Sequence, residues 1–125
     1  MRICGTDPFW DVTVTSDLEL GHIIVVALDD KPLATSGRIL LQVMSEEKPS
    51  GFQTEPVSAT VKRIVSIGAD PWQVRELTGT VRFKRADSAQ LKVTMLDYNG
   101  YPTTSAGSAQ EIKLHPATMY YLIGR

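Results

Sequence analysis

Short stretches of β-branched and aromatic residues recur along this chain, each closed by Gly, Pro, Asp, Asn or Ser. This punctuation predicts strands rather than helices. Over 10–16, Trp10, Val12 and Val14 alternate with Asp11, Thr13 and Thr15, the two-residue period of a strand with one wet face. The run from His22 to Leu28 is continuously apolar after its histidine. Such a run fits a central strand covered on both faces, and Asp29-Asp30-Lys31-Pro32 ends it with turn chemistry. Arg38 to Met44 follows Ser36-Gly37 and is again almost wholly apolar. It is expected to pair with the preceding strand and to share the centre of the sheet with it.

A fourth strand is read over Ser58 to Ile67, broken by Gly68-Ala69-Asp70-Pro71 because proline cannot donate to a ladder. Thr78 to Lys84 and Gln90 to Leu96 both alternate, and they read as a hairpin around Arg85-Ala86-Asp87-Ser88. Ala109 to Leu114 and Thr118 to Ile123, separated by His115-Pro116-Ala117, complete the set. No long window keeps helical spacing without a Gly, Pro or β-branched interruption, and Met44 to Gly51 is the best place for a single helical turn. The pattern predicts an all-β fold: a two-sheet antiparallel β-sandwich of about eight strands, immunoglobulin-like or jelly-roll, with residues 1–125 forming one domain.

The chain has 125 residues, 42% apolar and 22% charged, which is ordinary globular composition and gives no case for disorder or a membrane span. The net charge of −1 is spread out, with no Lys/Arg run to neutralise a row of phosphates, so nucleic acid is not an expected partner. A single cysteine, Cys4, excludes an intramolecular disulfide and the common thiolate zinc sets. The first eight residues hold no apolar run of the kind that forms a signal-peptide core. The compartment is therefore open: extracellular or periplasmic if the chain is part of a larger secreted protein.

Candidate chemistry is sparse. Nucleophilic catalysis pairs Ser, Cys or Thr with a base, and only His22 and His115 are on offer, neither in a motif. Cys4 has no neighbouring histidine in sequence to lower its pKa. The pairs Asp29-Asp30 and Glu46-Glu47 are adjacent carboxylates, not two groups facing across a cleft. Asp97-Tyr98-Asn99-Gly100 carries some oxygens of a calcium loop but reads better as a turn. Neither Gly-x-Gly-x-x-Gly nor a P-loop occurs. The expectation is no catalytic residue, no metal and no cofactor.

What remains is aromatic. Trp72 follows Asp70-Pro71, and Tyr98 and Tyr101 flank Asn99-Gly100, so all three fall in predicted connections, where binding residues collect. Flat rings beside polar groups suit sugars, and Trp72, Tyr98 and Tyr101 are the candidate ligand-binding residues. The competing reading makes Trp72 a plug on the end of the sandwich and the tyrosines packing residues.

The block Val26-Ala27-Leu28-Asp29-Asp30-Lys31-Pro32-Leu33-Ala34-Thr35-Ser36-Gly37-Arg38-Ile39-Leu40-Leu41-Gln42-Val43 resembles the C-terminal β-sandwich accessory domain that follows the (β/α) barrel of bacterial glycoside hydrolases. There a strand ends in a turn of the "SLDGKPLAES" type and the next begins "RILV". Ala69-Asp70-Pro71-Trp72-Gln73-Val74-Arg75 is similar to that family's "GxxPxLVE" stretch, and Met119-Tyr120-Tyr121-Leu122 to its closing aromatic strand. Asp7-Pro8-Phe9 and Asp17-Leu18-Glu19-Leu20 sit roughly where the family has its first strand. Asp30 stands where glycine is usual in the turn. The resemblance implies a non-catalytic domain beside a hydrolase, with a polysaccharide or the hydrolase domain itself as partner. The alternative is a stand-alone interaction domain that uses a sheet edge or apolar face to form a homodimer or bind another protein.

Overall fold

The computed structural model describes residues 11–125, and these form an all-β protein. In chain order the strands are β1 (Val12–Thr15), β2 (Gly21–Ala27), β3 (Arg38–Ser45), β4 (Glu47–Ser50), β5 (Gln53–Pro56), β6 (Lys62–Ser66), β7 (Ala69–Val74), β8 (Thr80–Phe83), β9 (Lys92–Leu96), β10 (Pro102–Ser108), β11 (Ile112–Lys113) and β12 (Tyr120–Gly124). They divide between two compact units, one holding residues up to Ser45 and from Glu76 onward, the other Glu46–Arg75.

The first unit is an antiparallel two-sheet sandwich of the kind the strand pattern predicts, ordered β1-β8-β11 and β10-β9-β12-β3-β2. Seven of the eight stretches read from the sequence lie in it, the one read over Ser58 to Ile67 falls in the second unit as β6, and β10 supplies the eighth strand. Alternation explains why these segments layer. In β3, Ile39, Leu41 and Val43 are fully buried while the residues between them are not, and in β8 Val81 and Phe83 face inward around an exposed Arg82. These two rows join Val93, Ile112, Tyr121 and Ile123 in one core drawn from both sheets. The tyrosine pair on β12 splits as alternation requires: Tyr121 is inside and Tyr120 half-buried on the outer face.

Four expectations are corrected. β3 pairs with β2 in register, but it is β12 that lies on its other side, and β2 is an edge strand whose Ile24 and Val26 remain exposed. A continuous apolar run marks burial on both faces only if another layer covers the second one, and none of the described residues does so here. β8 and β9 are not a hairpin: they belong to different sheets, and the chain crosses between them through a 3₁₀ turn at Ser88–Gln90. Arg85 anchors that crossing. Its guanidinium donates to Leu33 O at 2.9 Å, Ser36 O at 2.6 Å and both Asp87 oxygens, and Asp87 also accepts from Arg125. The segment expected to make a helical turn, Met44 to Gly51, instead ends β3 and forms β4. Finally, the strand β6 does end before Gly68, at Ser66, but Ala69 to Pro71 is not a connection: a new strand, β7, begins at Ala69 and runs through Pro71. The ladder between β4 and β7 shifts between Pro49 and Ser50, so Asp70 and Pro71 sit in a bulge where proline forfeits no rung.

The second unit, Glu46–Arg75, is two antiparallel pairs, β4 with β7 and β5 with β6. None of its residues is buried.

The block 26–43 has a local explanation in its turn. The Asp29 carboxylate accepts from Ser36 Oγ at 2.6 Å and from Gly37 N–H at 3.0 Å. These bonds hold its pKa below the ordinary carboxylate value, and they tie the end of β2 to the start of β3.

Candidate functional site

Tyr98 and Tyr101 come together on the turn between β9 and β10, and the geometry of that turn comes from Asp97. Its backbone N–H donates to Tyr101 O at 2.9 Å and its C=O accepts from Gly100 N–H at 3.0 Å. Its carboxylate Oδ1 accepts from the N–H groups of Asn99 and Tyr101, both at 2.9 Å. This is an Asx turn, completed by Gly100 at a φ of 86°, a left-handed conformation suited to glycine. The oxygen that gave the segment its calcium-loop look is thus occupied by backbone donors. Among the described residues no group of three or more His, Cys, Asp or Glu is placed to hold a metal ion.

The turn is fixed while its rings stay outside. Tyr98 is 68% exposed and Tyr101 69% exposed. The Tyr98 hydroxyl donates to Ala117 O at 3.2 Å, which connects the ring to the turn before β12. That second turn is held from below: Tyr121, buried in the core, accepts from His115 N–H through its hydroxyl at 2.7 Å, and burial raises the pKa of that hydroxyl. The His115 ring accepts from Ala117 N–H at Nδ1, at 3.2 Å, so the neutral ring carries its proton on Nε2.

Beside these turns lies a shallow open depression whose walls include Met95, Ala106, Glu111, Lys113, His115 and Pro116. Glu111 also borders a second one with Arg82, Ser108 and Gln110, and pairs with Arg82 across β8 and β11. Sequence reasoning gave these polar residues no role. The signal was present in alternation: Ile112 and Leu114 point into the core, which turns Glu111, Lys113 and His115 to the opposite side.

Compared with known protein families, curated proteins and solved structures, the chain matches none.

Trp72 does not belong to the unit that carries the tyrosines. It lies on β7 in the second unit, on a strand rather than in a connection, opposite Pro49 and 58% exposed. His22 and His115 are both exposed, on β2 and in the turn before β12. Cys4 and the start of the 10–16 strand lie outside the described residues. No described helix is long and apolar enough to cross a membrane.

Two exposed phenol rings on a hydrogen-bonded turn offer stacking faces, and Lys113, His115 and Glu111 line the depression beside the turn before β12.

Proposed function

We propose that this chain is a non-catalytic, carbohydrate-associated accessory module that binds glycan weakly, beside the catalytic domain of a glycoside hydrolase, with Tyr98 and Tyr101 as its stacking surface. The observation that carries this reading is the pair of two-thirds-exposed tyrosines on a turn that Asp97 holds rigid. An exposed ring on a mobile loop would lose conformational entropy on binding, and a turn already ordered by backbone bonds and an Asx cap avoids most of that loss. Axial C–H groups of a pyranose stack on such faces, while its hydroxyls find Lys113, Glu111 and His115. Weak affinity follows from the open, shallow shape, which leaves most of a ligand in water. The likeness of the 26–43 block to hydrolase accessory domains supports the non-catalytic role beside a hydrolase domain.

The test is binding of the full chain to a panel of soluble and insoluble polysaccharides, by affinity electrophoresis and pull-down. We expect retention on at least one glycan, lost in Tyr98→Ala/Tyr101→Ala while the melting temperature stays within a few degrees of wild type. Trp72→Ala is measured separately because Trp72 belongs to the second unit, and a loss confined to that variant would move the site to Glu46–Arg75. Absence of retention by the wild type at millimolar sites would end the glycan reading.

A further inference from the structure

The two edges of the five-stranded sheet are built in opposite ways. At one edge β10 meets β9 through two register shifts, and its sequence Pro-Thr-Thr-Ser-Ala-Gly-Ser is small and polar. Bulges, proline and polar residues are what keep an edge from accepting another strand. At the other edge β2 pairs with β3 over seven consecutive residues without a shift, and Gly-His-Ile-Ile-Val-Val-Ala contains neither a proline nor a charged carboxylate, ammonium or guanidinium.

Backbone direction is fixed by one bond. Leu28 N–H donates to Arg38 O at 2.8 Å, so the even-numbered residues of β2 hydrogen-bond to β3, and Gly21, Ile23, Val25 and Ala27 turn their N–H and C=O groups to the open side. Among the described residues β2 has no strand partner other than β3. On the sheet's outer face Ile24 is 51% and Val26 44% exposed, and Leu20 and Leu28 on either side are 57% and 46% exposed.

We propose that β2 pairs antiparallel with β2 of a second copy of this chain, about a two-fold axis at Ile24, joining two five-stranded sheets into one. In that register Gly21 pairs with Ala27 and Ile23 with Val25 of the other copy, so every open-side backbone group of the strand gains a partner. Ile24 meets its own counterpart and Leu20 approaches Leu28. A second copy is the occupant because a two-fold contact demands a self-complementary strip, and the exposed apolar positions 20, 24 and 28 are symmetric about position 24. Within Gly21–Ala27 no like charges face each other, and the like-charged pair Glu19 and Asp29 falls beyond both ends of the strand. This inference is independent of the glycan reading: the tyrosine turn joins β9 to β10, at the other side of the sheet.

The experiment is sedimentation equilibrium of the full chain from about micromolar to about millimolar concentration, for wild type, Ile24→Lys and Val25→Pro. Ile24→Lys sets an ammonium against its own copy on an already exposed face. Val25→Pro removes an open-side donor and leaves the bonds to β3 intact. We expect a concentration-dependent dimer in the wild type, weakened at least about tenfold by Ile24→Lys, with unchanged circular dichroism. Should Val25→Pro fail to fold, Ile24→Lys decides alone. A wild type that is monomeric throughout, or a dimer indifferent to Ile24→Lys, would overturn the proposal. So would slow amide exchange at Ile23, Val25 and Ala27 in a dilute monomer, since another segment would then already occupy that edge.

Discussion

The sandwich and the ribbon Glu46–Arg75 are made from the same β-branched residues put to opposite use. In the sandwich Ile39, Val43, Val81, Val93, Ile112 and Ile123 are fully buried, whereas in the ribbon Val57, Val61, Ile64, Val65 and Ile67 are all more than half exposed. Both regions satisfy their ladders. Hydrogen bonding and β-propensity therefore form strands in either setting, but burial requires a second layer, and a two-stranded ribbon is a single layer. Isolated two-stranded hairpins are marginal in water. The sandwich is thus expected to carry the global stability of the chain, and the ribbon to open locally at much lower free energy.

The largest test of that division removes one large aromatic from each region. Tyr121 is fully buried, packs in the core and caps His115 N–H. Tyr121→Ala should cost about 3–5 kcal/mol in chemical denaturation, and Tyr121→Phe about 1–3 kcal/mol, the cost of leaving that donor without its acceptor. Trp72→Ala in the ribbon should fall within about 0.5 kcal/mol of wild type. A ribbon substitution that shifted the midpoint as far as Tyr121→Ala would show that the ribbon shares the sandwich's cooperative unit.

The same contrast explains what could be read from the residues alone. Strands of the sandwich were legible where alternation was clean, as in β8 and β9, because an inside and an outside existed to be recorded. The ribbon left a fainter record. Glu46–Ser50 is polar with a proline, Gln53–Pro56 is exposed throughout, and neither carries a burial period to detect. β10 was missed for the same reason, being small, polar and bulged. The crossing from β8 to β9 misled because Arg85-Ala86-Asp87-Ser88 has ordinary turn composition, and only the long-range bonds from Arg85 to Leu33 and Ser36 redirect the chain to the other sheet. Of the candidate site, the two tyrosines were visible as turn aromatics. That Trp72 falls in a different unit was not, since it depends on which strands pair.

A second, smaller comparison uses one glycine in each region. Gly79 has a φ of 143°, and a methyl group there would lie 2.6 Å from Thr15 O. Gly68 has a φ of 78°, and its methyl group would collide with Ser50 O. Both substitutions are strained by conformation and by contact. Gly79→Ala should lower global stability by about 1–3 kcal/mol, read as a shift in the denaturation midpoint. Gly68→Ala should leave that midpoint in place and instead accelerate amide exchange across Ser66 to Trp72, because the ribbon can open without the sandwich.

The smallest effects separate two ion pairs. Arg85 is almost wholly enclosed, and Asp87 lies between it and Arg125, an arrangement that drives the Asp87 carboxyl far below the ordinary carboxylate range. Glu55 and Arg63 in the ribbon form a pair at 2.8 Å with both side chains well exposed, where water and salt screen most of the attraction. Asp87→Asn should therefore lower the melting temperature at neutral pH, and Glu55→Gln should leave it unchanged. The sign of the pH dependence follows from the depressed pKa. Asp87 contributes its stability fully above the unfolded carboxylate value, near about pH 4. As pH falls from there toward the depressed folded value, the wild type takes up a proton more readily when unfolded and loses that contribution. Thermal melts of wild type and Asp87→Asn should thus differ at pH 7 and converge progressively below about pH 4. A difference that persisted unchanged into acid would mean that the substituted amide fails by shape, and that the charge on Asp87 is not what holds the crossing between the sheets.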